Sequence, residues 1–170
     1  MLQSLAPAGW TDAAGGFVDR QNEPAGYVVL SDTPTGGVMM RVDLSGLTEG
    51  WHGIHLHQVA DCSDYEDGFK ASGGHVDPDD RAHGLMNDAG PERADLTNIY
   101  AGADGRATAE LYNGRVSLRP GEAAAAAGAH ALIDEDGFAI IVHQDADDHE
   151  TQPIGGAGER VACAAIDAGL

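Results

Sequence analysis

Basic residues are scarce in this chain of 170 residues. It contains one lysine, Lys70, and eight arginines against 28 acidic residues, and its formal net charge at pH 7 is -19. A surface this negative repels polyanions, so nucleic acids and anionic membranes are not expected as partners. Two explanations of the charge remain open. One is a highly soluble surface, and the other is adaptation to high salt, which screens repulsion between like charges.

Long apolar runs and a leader segment are also missing. No run reaches the ~18 residues that a membrane-spanning helix needs. Residues 1–10 have no basic region and no long apolar stretch, so they do not predict a signal peptide. The protein is then either cytosolic or made with a signal that is absent from this sequence. Cys62 and Cys163 are the two cysteines. They permit either a disulfide in an oxidising compartment or two buried thiols.

Aromatic residues make up only 5% of the chain, whereas 24 residues are glycine. This composition favours short strands and turns over helices. The alanine run at 123–127 is interpreted as a loop, because glycines flank it on both sides. Strands are predicted at 26–30, 38–44, 51–58, 116–118 and 161–166, with hairpins at 96–112 and 129–143. Some eight strands without an internal repeat predict one domain, residues 1–170, folded as a β-sandwich or barrel.

The triplet His55-Leu56-His57 indicates a metal site. Residues two apart in a strand point to the same face, so His55 and His57 direct two imidazoles to one place. Imidazole is a ligand for copper, zinc, iron and nickel. A third histidine, His143, ends a distant apolar run. His52 falls on the opposite face with Ile54 and is predicted to be a structural, hydrogen-bonding histidine.

The segment 62–98 has no sustained periodicity and is rich in glycine, aspartate, proline and histidine. Ordered loops of this length are uncommon and are usually functional. Its two histidines, His75 and His83, explain how it is ordered, because metal bonds can replace a missing core.

Together these residues resemble the copper,zinc superoxide dismutases of the bacterial periplasmic type. The resemblance covers about residues 15–167 and holds in order and spacing. The matching stretches are His52-Gly53-Ile54-His55-Leu56-His57, Gly73-Gly74-His75-Val76-Asp77-Pro78, Arg81-Ala82-His83-Gly84, Asp95-Leu96-Thr97-Asn98-Ile99, Gly137-Phe138-Ala139-Ile140-Ile141-Val142-His143, Ala146-Asp147-Asp148 and Gly156-Ala157-Gly158-Glu159-Arg160-Val161-Ala162-Cys163. The resemblance implies an all-β, antiparallel Greek-key β-sandwich, a flattened barrel with long metal-binding and electrostatic loops.

The resemblance also implies the roles of the site residues. Asp147 would hydrogen-bond one copper histidine and one zinc histidine. The structural histidine predicted from the strand pattern, His52, is expected to lie next to the metal ligands without binding metal. The catalytic residues would be Arg160, which orients the anion, and His75, which delivers a proton. Cys62 and Cys163 would form a disulfide. The copper ligands would be His55, His57, His75 and His143, and the zinc ligands would be His75, His83 and Asp95.

Glu92 departs from the family pattern, which usually has a histidine three residues before the zinc aspartate. Two interpretations remain open. Glutamate oxygen binds zinc at about 2.0–2.2 Å, so Glu92 is either a fourth, harder ligand or a side chain that points to solvent and leaves zinc weak or absent.

The charges near Arg160 form a second departure. Members of the family steer superoxide with positive charges near copper. Here four acids, Asp145, Asp147, Asp148 and Glu150, crowd the loop before Arg160. No lysine is expected nearby, and His149 is the only other expected cation. The sequence therefore predicts a rate that added salt slows less than in the family, or even raises.

The resemblance implies a superoxide dismutase that produces dioxygen and hydrogen peroxide by copper redox cycling. The alternative is a non-enzymatic copper-binding or storage module on the same fold, but storage needs no anion-orienting arginine. The expected substrate is superoxide, and the resemblance allows a homodimer and a copper donor as partners. The paired cysteines and the family type predict a periplasmic or extracellular location, with the signal peptide absent from this sequence.

Overall fold

Eleven strands and one short α-helix form the regular structure of residues 12–167, the part of the chain that the computed structural model describes. Two single 3₁₀ turns, Tyr65–Asp67 and Lys70–Ser72, lie in the long loop that was predicted from composition. The strands are β1 Ala13–Asp19, β2 Pro24–Asp32, β3 Val38–Leu44, β4 Gly50–His52, β5 Ile54–His57, β6 Ile99–Ala101, β7 Ala107–Asn113, β8 Val116–Ser117, β9 His130–Ala131, β10 Phe138–His143 and β11 Arg160–Ile166, and the helix is α1 Glu122–Ala127.

Seven strands form one antiparallel sheet in the order β5-β10-β11-β1-β2-β3-β7. The sheet curls into a half-barrel. The ribbon β4-β6 joins its two edge strands, because β4 runs into β5 and β6 leads through a turn into β7. The predicted all-β sandwich class is therefore confirmed. No helix among residues 12–167 is long and apolar enough to cross a membrane.

The core lies inside the curled sheet and is built by the alternation of each strand. Val28, Leu30, Met40 and Val42 on β2 and β3 are fully buried. On β5 and β10 the core side chains are Ile54, Leu56, Phe138, Ile140 and Val142. Their in-between neighbours face the opposite side of the sheet. A second, smaller cluster of Phe69, Ala139, Ile141 and Cys163 forms there, beneath the long loop.

Several sequence predictions about strand pairing are wrong. Neither predicted hairpin forms, because β6 pairs with β4 while β7 pairs with β3, and β9 pairs in parallel with β8 rather than with β10. The predicted strand 51–58 is split at Gly53 and changes partner there.

The alanine run 123–127, which was predicted to be a loop, forms α1, which ends at Gly128 with φ 65°. The first strand, β1, was not predicted.

The strands predicted at 38–44 and 161–166 are confirmed as β3 and β11. The disulfide is also confirmed, since Cys62 and Cys163 are bonded. This bond ties the start of the long loop to β11. The loop, residues 58–98, is called the zinc loop below, and the loop between β10 and β11, residues 144–159, is called the bridge loop.

Candidate metal centre

Strands β5 and β10 place three histidines on the sheet face that the loops cover. Ile54 and Leu56 enter the core, so His55 and His57 point outward. In the antiparallel register, Ile141 lies opposite His55 and Ala139 lies opposite His57. His143, two residues beyond Ile141, shares that face. All three histidines are at most 1% exposed.

One ring nitrogen of each of these histidines is held in place by an oxygen atom. His57 Nδ1 lies 2.9 Å from the Gly73 carbonyl, and His143 Nδ1 lies 3.1 Å from that of Gly158. His55 Nε2 lies 2.7 Å from Asp147 Oδ2. These contacts set the ring orientations, as outer-shell oxygens do for metal-binding histidines.

The other nitrogen of each of these three rings is buried and has no hydrogen-bond partner, and the same holds for Nε2 of His75 in the zinc loop. These orphaned atoms are His55 Nδ1, His57 Nε2, His75 Nε2 and His143 Nε2. Buried polar atoms are nearly always paired, so a group of four unpaired nitrogens indicates a missing ligand. Candidate donor atoms of His55, His75 and His143 lie within 4.8 Å of one another. The His57 ring is more distant, with its centroid 5.1 Å from His75 and 6.3 Å from His143. An all-imidazole donor set fits copper.

A β-bulge brings Arg160 to this group. The β10-β11 register shifts between Val142 and His143, so that His143 pairs with Arg160 and skips Val161. Bulges of this kind re-aim side chains next to active sites. The guanidinium donates to the Phe69 carbonyl at 2.7 Å and to the Gly73 carbonyl at 3.0 Å. Gly73 also holds His57, so Arg160 and a candidate copper ligand share one acceptor.

A second cluster joins the zinc-loop residues. Suitable atoms of His75, His83, Glu92 and Asp95 all lie within 4.8 Å of one another. Asp95 Oδ1 is 2.7 Å from His83 Nδ1, yet it has no hydrogen-bond partner. Asp95 Oδ2 accepts from the backbone amides of Gly84 and Glu92, both at 2.8 Å. Two imidazoles and two carboxylates form a donor set that fits zinc.

Glu92 lies inside this cluster. Its Oε2 is 2.5 Å from His75 Nδ1 and 3.2 Å from His83 Nδ1. Its side chain is only 12% exposed. The alternative in which Glu92 points to solvent is therefore wrong, and its carboxylate lies among the other three candidate donors.

Asp147 connects the two clusters. Its Oδ2 contacts His55, and its Oδ1 lies 3.1 Å from His83 Nε2. The bridge loop folds tightly around this carboxylate at Gly155, which has φ 63°. A Cβ at Gly155 would lie 1.7 Å from Asp147 Oδ1, so only glycine fits there. The position of Asp147 agrees with the carboxylate bridge that the sequence predicts.

The two clusters differ in charge. Burial lowers the pKa of His55 and of His57, and it lowers the pKa of His143 to about 3, which keeps these imidazoles neutral and ready to bind metal. Burial also acts to lower the pKa of His83, but its contacts with Asp147, Asp95 and Glu92 raise it to about 11. Burial opposes ionisation of Glu92, yet its histidine partners lower its pKa to about 2.

The surroundings of Arg160 correct the electrostatic prediction. Arg160 and the buried His143 line a cleft of about 530 Å³. Lys70 and Arg20 line this cleft, so the expectation that no lysine lies nearby is wrong. The zinc loop brings Lys70 there, and nothing in the local sequence signals it. The acids in the cleft are Glu66, Asp67 and Glu159 rather than those predicted from the bridge loop.

Two other histidines lie beside the centre without entering it. Both ring nitrogens of His52 contact backbone carbonyls, those of His143 and Thr48, each at 2.8 Å. It supports the His143 backbone from the core side, as predicted for a structural histidine. His149 was expected to be a cation near Arg160. Its Nδ1 lies 3.5 Å from Asp147 Oδ2, and it is not among the residues that line the Arg160 cleft.

A family model described as copper/zinc superoxide dismutase matches residues 24–166. The chain belongs to this family. It is 48% identical over 143 residues to a Cu-Zn superoxide dismutase of Caulobacter vibrioides, covering 84% of this chain and 78% of that protein. A superoxide dismutase-like protein of Bacillus subtilis superposes with a TM-score of 0.80 at 28% identity, over 89% of this chain and 96% of that one. The Cu/Zn superoxide dismutase of Brucella abortus superposes with a TM-score of 0.68 at 26% identity, over 89% and 97%.

Membership of the copper/zinc superoxide dismutase family establishes the reaction. The chain is an oxidoreductase that converts superoxide to dioxygen and hydrogen peroxide, with copper and zinc as its cofactors. The copper-storage alternative is not favoured. Disulfides persist in oxidising compartments, so the bond between Cys62 and Cys163 and the family together indicate a protein outside the cytoplasm.

Proposed function

We propose that this superoxide dismutase binds copper through the four orphaned imidazole nitrogens and binds zinc through the second cluster. The copper ligands are His55, His57, His75 and His143, and the zinc ligands are His75, His83, Glu92 and Asp95. The observation that carries the proposal is the set of buried, unpaired nitrogens on these rings, whose opposite nitrogens are already held by oxygen atoms.

Bound copper supplies the one-electron redox chemistry that dismutation requires. The protein positions the substrate through Arg160, whose charge persists at any working pH. This side chain is half-buried and held by Phe69, Ser72 and Gly73, so its direction is set before the anion arrives. Such preorganised charge attracts and orients superoxide at low reorganisation cost.

His75 links the two clusters and is the proposed proton donor. Its Nδ1 lies among the zinc-cluster atoms, beside Glu92. Its Nε2 is on the side of His55 and His143. Whenever His75 Nε2 is not bound to copper, a proton held there would face the cluster where peroxide is formed. The covering loops exclude bulk water, since the exposed fraction of His75 is 9%.

Removal of single imidazoles tests the copper assignment. His143→Ala should lose most bound copper and most superoxide dismutation while keeping the zinc content of the wild type. His130→Ala is the matched control, because His130 lies on β9 outside both clusters. Copper content and dismutation rate are measured on metal-loaded proteins. Full copper content in His143→Ala would contradict the assignment.

The finer location and partners are also proposals. The disulfide and the bacterial family support a periplasmic or extracellular site rather than any other oxidising compartment, and cell fractionation tests this. A homodimer and a copper donor stay predictions. Sedimentation of the purified protein tests the homodimer, and copper transfer from a candidate donor tests the other.

A further inference from the structure

Two amide side chains cross between the zinc loop and the bridge loop. Gln152 reaches from the bridge loop to the backbone of His83, and Asn98 reaches from the end of the zinc loop to the backbone of Asp147. Each amide therefore forms hydrogen bonds with the backbone of a residue in the other loop. Neither side chain belongs to the metal clusters.

The Gln152 amide makes two hydrogen bonds to His83. The His83 backbone N–H donates to Gln152 Oε1 at 3.0 Å, and Gln152 Nε2 donates to the His83 carbonyl at 2.8 Å. Asn87 Nδ2 donates to the same carbonyl at 3.1 Å. The backbone of His83 is thus bonded on both its donor and its acceptor, although no strand contains it.

The Asn98 amide repeats this pattern on Asp147. The Asp147 backbone N–H donates to Asn98 Oδ1 at 2.9 Å, and Asn98 Nδ2 donates to the Asp147 carbonyl at 2.8 Å. Asparagine and glutamine carry one acceptor and one two-proton donor, so each can bond both groups of a single residue. The bridge loop thus bonds the zinc loop through Gln152, and the zinc loop bonds the bridge loop through Asn98.

The side chains of His83 and Asp147, whose backbones the two amides bond, contact each other. His83 Nε2 lies 3.1 Å from Asp147 Oδ1, and Asp147 Oδ2 lies 2.7 Å from His55 Nε2. His83 and Asp147 are 1% and 3% exposed. This path connects the zinc cluster to the copper cluster without passing through His75. Both of its loop residues are irregular backbone, and the two amides bond the backbone of each. The Met86 N–H, which donates to the His149 carbonyl at 3.1 Å, also joins the two loops but bonds neither His83 nor Asp147.

We propose that Asn98 and Gln152 are positioning residues that set the Asp147 bridge and so couple zinc binding to copper binding. The inference rests on the proposed metal ligands. Partners that orient metal-binding groups typically contribute about 10–100-fold to metal affinity. Loss of either amide should let Asp147 turn away from His55 and His83 while every metal ligand remains.

A double-mutant cycle separates this role from simple loop stability. Metal-free wild type, the single variants Asn98→Ala, Gln152→Ala and Asp147→Ala, and the double variant Asn98→Ala/Asp147→Ala are titrated with zinc, and with copper in the presence and absence of zinc. The Cu(II) EPR spectrum of each is recorded. Asp147→Ala keeps the backbone N–H and carbonyl that Asn98 bonds and removes the carboxylate. Gln144→Ala is the control, because Gln144 is an exposed amide in the bridge loop.

Each amide variant should lower zinc affinity by about tenfold. Each should also reduce the effect of zinc on copper affinity to the level of Asp147→Ala. In the Asp147→Ala background, Asn98→Ala should change neither quantity further, because no carboxylate remains to be positioned. The Cu(II) EPR spectra of the single variants should match that of Asp147→Ala.

Unchanged coupling in the variants, or an undiminished effect of Asn98→Ala in the Asp147→Ala background, would overturn the inference while leaving the metal ligands intact. A wild type that binds neither metal would instead overturn the proposed ligands, and the inference with them. Asn98→Asp and Gln152→Glu keep the acceptor and remove the donor. They should show intermediate losses, and they replace any alanine variant that does not fold.

Discussion

Glu92 offers the sharpest test of the zinc site, because a glutamate stands where the family usually has histidine. The perturbation is a series at this position: Glu92→Ala removes the donor, Glu92→Gln removes its charge, and Glu92→His restores an imidazole. The structure places Glu92 Oε2 2.5 Å from His75 Nδ1 and 3.2 Å from His83 Nδ1, inside a cluster of four donors.

The expected loss follows from the donor count. A structural zinc site contributes about 10–16 kcal/mol of binding free energy at neutral pH. One of four ligands then accounts for about 2.5–4 kcal/mol, which corresponds to roughly 10²–10³-fold in zinc affinity. Glu92→Ala should show this loss in full. Glu92→Gln should lose nearly as much, because a neutral amide oxygen is a poor zinc ligand.

Glu92→His distinguishes a ligand from a charge partner. If Glu92 binds zinc, an imidazole there should keep zinc affinity within about tenfold of wild type, since histidine nitrogen is itself a zinc ligand. If Glu92 only balances the charge of His83, a third imidazole should weaken the site further than alanine does.

The assay is competition for zinc between the metal-free protein and a chromophoric chelator. Cobalt substitution supports it, because the visible spectrum of bound Co(II) reports the change from oxygen to nitrogen donor. Asp88→Asn is the control, since Asp88 is an exposed carboxylate in the same loop. Zinc affinity of Glu92→Ala within about threefold of wild type would refute the reasoning.

Four further outcomes follow from the structure. The pKa of His83 is raised to about 11 by the carboxylates around it, against the effect of burial, so it is protonated in the metal-free protein at pH 7. Zinc must displace that proton, so affinity should rise about tenfold per pH unit from pH 6 to 8; calorimetric heats that do not depend on the buffer would contradict this. The cleft is lined by equal numbers of cationic and acidic side chains, so it does not attract superoxide strongly, whereas the chain as a whole carries a net charge of -19 and repels it. Because salt screens both effects, added salt should slow dismutation little or raise its rate. A steep fall of stopped-flow rates with salt would exclude this. Arg160→Ala should lower the dismutation rate by at least about tenfold at unchanged copper content, because a preorganised charge is lost; an unchanged rate would remove Arg160 from the mechanism. Cys62→Ser with Cys163→Ser should lower the unfolding free energy by about 2–5 kcal/mol in thermal or denaturant unfolding, and wild-type stability of this variant would show that the bond is dispensable.

The candidate ligand histidines could be predicted because their signals are local. The period of two along β5 separates His55 and His57 from Leu56 without knowledge of any partner strand. The resemblance added His75, His83 and Asp95 from short motifs. Pairing was predicted less well, and both expected hairpins were wrong. Adjacent strands joined by a turn signal need not pair, because each edge bonds whichever strand best buries its apolar face.

What the sequence by itself determined is the set of candidate ligand histidines on β5, the side of that strand that carries them, and the all-β class of the fold. Only the tertiary structure decided three other features: the bulge that pairs Arg160 with His143, the inward direction of Glu92, and the position of Lys70 in the cleft. The physical reason is how far apart in the sequence the interacting residues lie. Alternation within a strand depends on neighbouring residues, whereas a bulge, a loop path and a shared acceptor depend on segments that meet only when the chain has folded.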